Sequence, residues 1–160
     1  MRKAGSLAVA VLAAAFVACG GGSPSAPTVA SAVLSVSANP SQIAAVPCSG
    51  CGAGSTDREA ATTVTVTETA GLGAAVTAIE MTLRETGTNA VLASGAFDAA
   101  AVTQLAGSNR VPARGTLSVR CGVHYADNLA GRTGVLTYVV RATDDRGNEL
   151  SQTIAVNTGM

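Results

Sequence analysis

Between Thr62 and Glu68 the chain reads Thr-Thr-Val-Thr-Val-Thr-Glu, a run of β-branched side chains with a two-residue repeat. Such residues are stiff about χ1 and crowd a helix, whereas they pack well on a pleated surface; the run therefore specifies a half-buried strand. The same period recurs. Ala32, Leu34 and Val36 alternate with Val33, Ser35 and Ser37 until Asn39-Pro40 stops the run, and Ile79, Met81 and Leu83 oppose Glu80, Thr82 and Arg84. Leu117, Val119, Cys121 and Val123 oppose Ser118, Arg120 and His124, and Leu136, Tyr138, Val140 and Ala142 form another apolar face. Asp144-Asp145-Arg146-Gly147-Asn148 supplies a turn, after which Leu150, Gln152, Ile154 and Val156 close the series. The expected strands are 32–37, 62–69, 76–84, 90–94, 116–125, 134–143 and 149–157. An antiparallel all-β sandwich of about seven strands in two sheets accommodates them. The interval from Asp98 to Gly107 is read as a loop or short edge strand in preference to a short helix, because Val111-Pro112 soon resumes an extended path.

The first 18 residues have a different character. Arg2 and Lys3 precede an apolar run from Leu7 to Val17, and small Ala18 stands directly before Cys19. That order of positive, apolar and small residues is the order of a secretory signal. From Ala4 to Ala18 the stretch is about 15 residues, short of the roughly 20 that a permanent membrane-spanning helix needs. Phe16-Val17-Ala18-Cys19 resembles a bacterial lipobox, with Phe16 standing where such a box usually carries Leu. The resemblance implies that Cys19 is diacylated on sulfur and becomes the first residue of the mature chain. Two or three acyl chains would anchor it stably where one would not.

From Gly20 to Pro27 the sequence uses only Gly, Ser, Pro and Ala, so residues 19–28 read as a lipid-anchored tether ahead of a single domain over 29–160. The tether's expected reach is on the order of 15 to 20 Å, which keeps the domain close to a membrane surface. Without Arg2 and Lys3, the ten basic and ten acidic residues become a slight acidic excess of about −2. No basic patch able to neutralise phosphates is expected, which argues against nucleic acid.

The closing hairpin narrows the fold. Leu136 to Val156, with Tyr-Val-Val-Arg-Ala-Thr-Asp-Asp-Arg-Gly-Asn at its centre, is similar to the last two strands of bacterial immunoglobulin-like and fibronectin type III-like domains. The antibody pattern of a buried Trp and a cysteine pair on two strands is absent from this sequence, so the bacterial relatives are the better match. In such a sandwich the strand ending at Tyr125 pairs antiparallel with the strand beginning near Thr62. That resemblance implies that the 48–51 loop lies beside Cys121 and His124, at the end away from the tether.

Cys48-Ser49-Gly50-Cys51 and Cys121-Gly122-Val123-His124 form two pairs with two-residue spacing, formally a three-Cys, one-His zinc set. An oxidising compartment and the opposite strand faces of Cys121 and His124 both weigh against zinc, so no metal or other cofactor is expected. A disulfide is preferred: Cys48 with Cys51, or either of them with Cys121, the latter stabilising by about 3 to 5 kcal/mol. His124, the only histidine, reads as a solvent-facing strand residue.

Other chemistry is thin. No serine sits in a nucleophile elbow, and Gly50, Gly52 and Gly54 lack the lysine of a phosphate loop. Asp144, Asp145, Asn148 and Glu149 read as a hairpin turn in preference to a calcium site. Past the leader, only Phe97, Tyr125 and Tyr138 are aromatic, and Tyr138 falls on the core face; a sugar-stacking platform would rest on Tyr125 alone, which disfavours carbohydrate. The expectation is a non-catalytic lipoprotein of the cell envelope, at the outer membrane on its periplasmic or surface side, presenting its distal loops to a protein partner. A spacer lipoprotein without a ligand, or a metal-binding or redox protein using Cys48, Cys51, Cys121 and His124, are the alternatives.

Overall fold

The computed structural model describes residues 31–48, 50–51, 57–129 and 131–160; the expected leader, Cys19 and the tether lie outside these. Strands β1 (Leu34–Asn39), β2 (Gln42–Ala44), β3 (Val46–Pro47), β4 (Arg58–Glu68), β5 (Ala74–Glu85) and β6 (Val91–Asp98) come first. Helix α1 (Ala99–Ala106) and strands β7 (Arg110–Val111), β8 (Thr116–Tyr125), β9 (Thr133–Asp144) and β10 (Glu149–Gly159) follow, with a short 3-10 turn over Asp127–Leu129. The seven long strands match the seven expected from alternation.

They form an all-β two-sheet sandwich, compatible with an immunoglobulin-like fold. In the first sheet β4 is central, with β8 on one edge and β1 and β3 in succession on the other. The second sheet runs β2-β10-β9-β5-β6, with β7 beside the start of β5. Alternation hid one departure: β2 pairs parallel with β10, whereas the other pairings among the described residues are antiparallel. The chain thus starts in the first sheet as β1, crosses to the second as β2 and returns as β3. The cis Asn39-Pro40 peptide lies at the first crossing.

The inward faces pack Val64 and Val66 of β4 and Val119 and Cys121 of β8 against Ile79, Met81 and Leu83 of β5 and Leu136, Tyr138 and Val140 of β9. On β5, Ala74 and Val76 are buried as well, although they have the opposite parity to Ile79. A register shift between Val76 and Ala78 reconciles them, because one extra residue turns every following side chain to the other face. Tyr138 of β9 reaches across the core and donates its hydroxyl to the carbonyl of Cys121 at 3.1 Å, joining the two sheets.

The interval 98–107 is a correction to the sequence reading. It is a helix: Asp98 caps it, its Oδ1 accepting from the Ala101 N–H at 2.8 Å, and Gly107 ends it at φ 77°. Val102 is buried where α1 packs against β5, β6 and β8, so tertiary burial fixes a helix that its all-β surroundings had argued against. Among the described residues no helix is long and apolar enough to cross a membrane.

Candidate functional site

Strand directions sort the loops into two ends. Ser31 and Ala32, where the described chain begins, lie beside the β9–β10 hairpin: the Ala32 N–H and the Ser31 hydroxyl both donate to Asp144 Oδ2, at 3.0 and 3.1 Å. Opposite them lie the cysteine loop, the Ala126 to Arg132 connection and the C-terminus. Met160 exchanges main-chain bonds there, accepting from Gly131 at 2.6 Å and donating to Arg132 at 2.9 Å. This is the arrangement expected from strand order.

The cysteine loop is positioned by register. Val46 pairs with Glu59 and Pro47 with Arg58, and the Cys48 N–H donates to the Asp57 carbonyl at 2.9 Å. Across β4, Glu59 pairs with His124. Cys48 and Cys51 are joined as a disulfide with Cα atoms 5.6 Å apart, which selects the first of the pairings the sequence left open. His124 is exposed on the outer face of β8; its ring nitrogen and the two sulfurs all lie within 4.8 Å of one another. Beside His124 on that face, Arg120 reaches Glu59 Oε1 at 2.9 Å, an exposed pair worth little in stability but fixing the local charge pattern.

Cys121 is not part of this group. It is a free thiol, 3% exposed, on the inner face of β8. Burial pushes its pKa up to about 12, outweighing a hydrogen bond from the Val64 main chain, so it stays protonated and unreactive in the folded chain. The four-residue set of Cys48, Cys51, Cys121 and His124 is therefore split: three meet on the outer face, and the fourth belongs to the core.

Along the flank between edge strands β6 and β8 runs an open groove of about 570 Å³. Its floor includes Gly95, Phe97, Leu105 and Val123, and Glu59, Arg120 and His124 border it. A second hollow of about 890 Å³ opens at the far end among Gln42, Arg58, Thr86, Asn157 and Met160. Tyr125, the residue on which a sugar platform would rest, is 4% exposed and lies in the core, because it continues the inward parity of Cys121 and Val123.

The sequence reading missed Glu68 and underrated Asp144. Glu68 is 1% exposed, and Asp144 is 4% exposed. Glu68 Oε1 accepts from the N–H groups of Val33 and Ala70, and Oε2 from those of Gly71 and Arg114, at 2.8 to 3.2 Å. Burial alone would raise the Glu68 pKa; the four amides outweigh it and hold it at about 2. Asp144 is likewise held well below the usual carboxylate range: burial opposes, while Asn148 and the amides of Ala32 and Arg146 prevail. The turn after β9 is thus built around a buried carboxylate whose oxygens already accept five protein donors. The signal available in sequence was an acidic residue at the inward parity of each strand, in step with Val64 and Val66, or with Val140 and Ala142.

No family model matches the chain, and no curated protein does. Solved structures share its architecture. A target of the Northeast Structural Genomics Consortium superposes with a TM-score of 0.54 at 8% identity, covering 81% of this chain and 87% of its own. A Bordetella pertussis protein given the name ApaA, also a target of that programme, gives a TM-score of 0.56 at 18% identity, covering 83% and 98%. At these identities the likeness is one of fold.

Proposed function

We propose that the chain is a lipid-anchored envelope protein that holds an immunoglobulin-like sandwich close to a membrane and offers its far-end loops and flank groove to a protein partner, without catalysing a reaction. One observation carries this reading. Ser31 and Ala32, next to the expected tether, are fixed to Asp144 at one end of the sandwich, while the cysteine loop, the Ala126 to Arg132 connection and both hollows lie toward the other end or along the flank. An acylated Cys19 ahead of that segment would turn the hairpin at Arg146 toward the membrane and the far-end loops away from it. The slight acidic excess and the burial of Tyr125 and Tyr138 fit a protein partner better than nucleic acid or sugar.

Photo-crosslinkers placed at Asn128 and at Arg146 in cells test the presentation. Discrete protein adducts from Asn128 and none from Arg146 are expected. Adducts from Arg146 alone would reverse the orientation, and none from either position would favour a spacer without a ligand.

A further inference from the structure

His124 comes to the cysteine loop from a residue more than 70 positions away in sequence, and the two are juxtaposed by backbone pairing on both edges of β4. Its ring nitrogen and the sulfurs of Cys48 and Cys51 lie within 4.8 Å of one another. Around a tetrahedral zinc ion, with Zn–S about 2.3 Å and Zn–N about 2.0 Å, neighbouring donors stand about 3.5 to 3.8 Å apart. The three atoms therefore need to shift by only an ångström or two, the sulfurs parting and the imidazole closing in. Room for that shift exists on the loop's open side. A side chain added at Gly50 would meet nothing within 4 Å, while the root of the loop stays paired to Arg58 and Glu59.

We propose that reduction of the Cys48–Cys51 bond creates a metal site in which the Cys48 and Cys51 sulfurs and a His124 ring nitrogen bind one thiophilic divalent cation of the zinc type. It stands apart from the anchoring and partner reading, since it uses only residues of the folded domain. The sequence-level set loses Cys121, which faces the core, and a three-ligand set leaves a fourth position open to water or to another donor. Sulfurs bonded to each other are poor ligands, whereas thiolates are strong ones, so the thiol state gates binding. In the chemical step a reducing dithiol gives two electrons and two protons to the Cys48–Cys51 bond. That bond breaks to two thiols as the reductant closes to its own disulfide, and the cation then displaces the two thiol protons to solvent.

The test uses the full chain carrying Cys19→Ser, reduced with dithiothreitol, freed of it under argon, and titrated with Zn2+ against a chromophoric chelator. Co2+ serves as the spectroscopic substitute. Expected are one Zn2+ per reduced chain, a thiolate-to-cobalt charge-transfer band, and no binding by the oxidised chain. His124→Asn, at an exposed strand position, should weaken binding by about tenfold or more, and Cys121→Ala should bind as the parent does. The proposal is overturned by stoichiometric binding to the oxidised chain, by no binding to the reduced chain, by full affinity in His124→Asn, or by loss of the β-sheet circular dichroism spectrum on reduction.

Discussion

Glu68 and Asp144 stand on different sheets and grip adjacent amides of one segment: Glu68 Oε1 accepts from Val33 at 3.2 Å and Asp144 Oδ2 from Ala32 at 3.0 Å. The chain is thus fastened to both layers of the sandwich immediately before β1, where a pull from the proposed membrane tether would act.

Removing either carboxylate should be costly. Glu68→Ala strands four part-buried N–H groups around a buried site, and its expected cost is about 3 kcal/mol. Urea unfolding compared with Glu80→Ala, whose carboxylate pairs with the exposed Arg141, should separate the clamp from an ordinary surface ion pair. Equal losses at the two positions would show that the amides find other acceptors.

The same clamp sets the acid response. Because the folded Glu68 pKa is depressed from 4.5 to about 2, its contribution is complete above about pH 4.5 and is lost as pH falls toward about 2. Asp144, also depressed, adds in the same direction. The urea midpoint should fall steadily over that window, and Glu68→Gln should flatten the fall. A midpoint independent of pH there would show that neither group is held as described.

Thiol accessibility should follow burial. Given the pKa of about 12 for Cys121 and its place in the core, iodoacetamide should leave it unlabelled in the native chain and label it after denaturation. Cys48 and Cys51 should be labelled only once reduced. Labelling of Cys121 in the native state would contradict the packing of β8 against β9.

Gly122 is a point of close approach. A Cβ there would run into the Ala60 carbonyl and the Ala61 side chain on β4, so Gly122→Ala should destabilise by about 1 to 3 kcal/mol. Gly131→Ala, where the space is open but φ is 83°, should act only through its backbone conformation. Thermal unfolding of the two variants separates steric from conformational cost.

The strands were legible because the pattern Ile79, Met81, Leu83 has no helical reading, and the pairing of β4 with β8 followed from sandwich connectivity. What escaped has common physical causes. The bulge at Val76 to Ala78 and the parallel pairing of β2 with β10 are properties of backbone register, which side-chain alternation does not encode. Helix α1 was visible in its caps, Asp98 and Gly107, but its existence depends on Val102 finding a buried place between β5 and β8. In the candidate site, the spacing of Cys48, Cys51 and His124 was readable, and the inward parity of Cys121 already set it apart. The carboxylate clamp was not, because an inward Glu or Asp declares its role only when the amides around it are known.

Anchored presentation is tested most directly by the intact mass of the protein extracted from membranes, read with and without reduction. A chain beginning at Cys19, carrying diacylglyceryl mass, and gaining the mass of two hydrogen atoms on reduction as the Cys48–Cys51 bond opens is the expected result. A mature chain that still begins at Met1, or one with an unmodified Cys19, would contradict it.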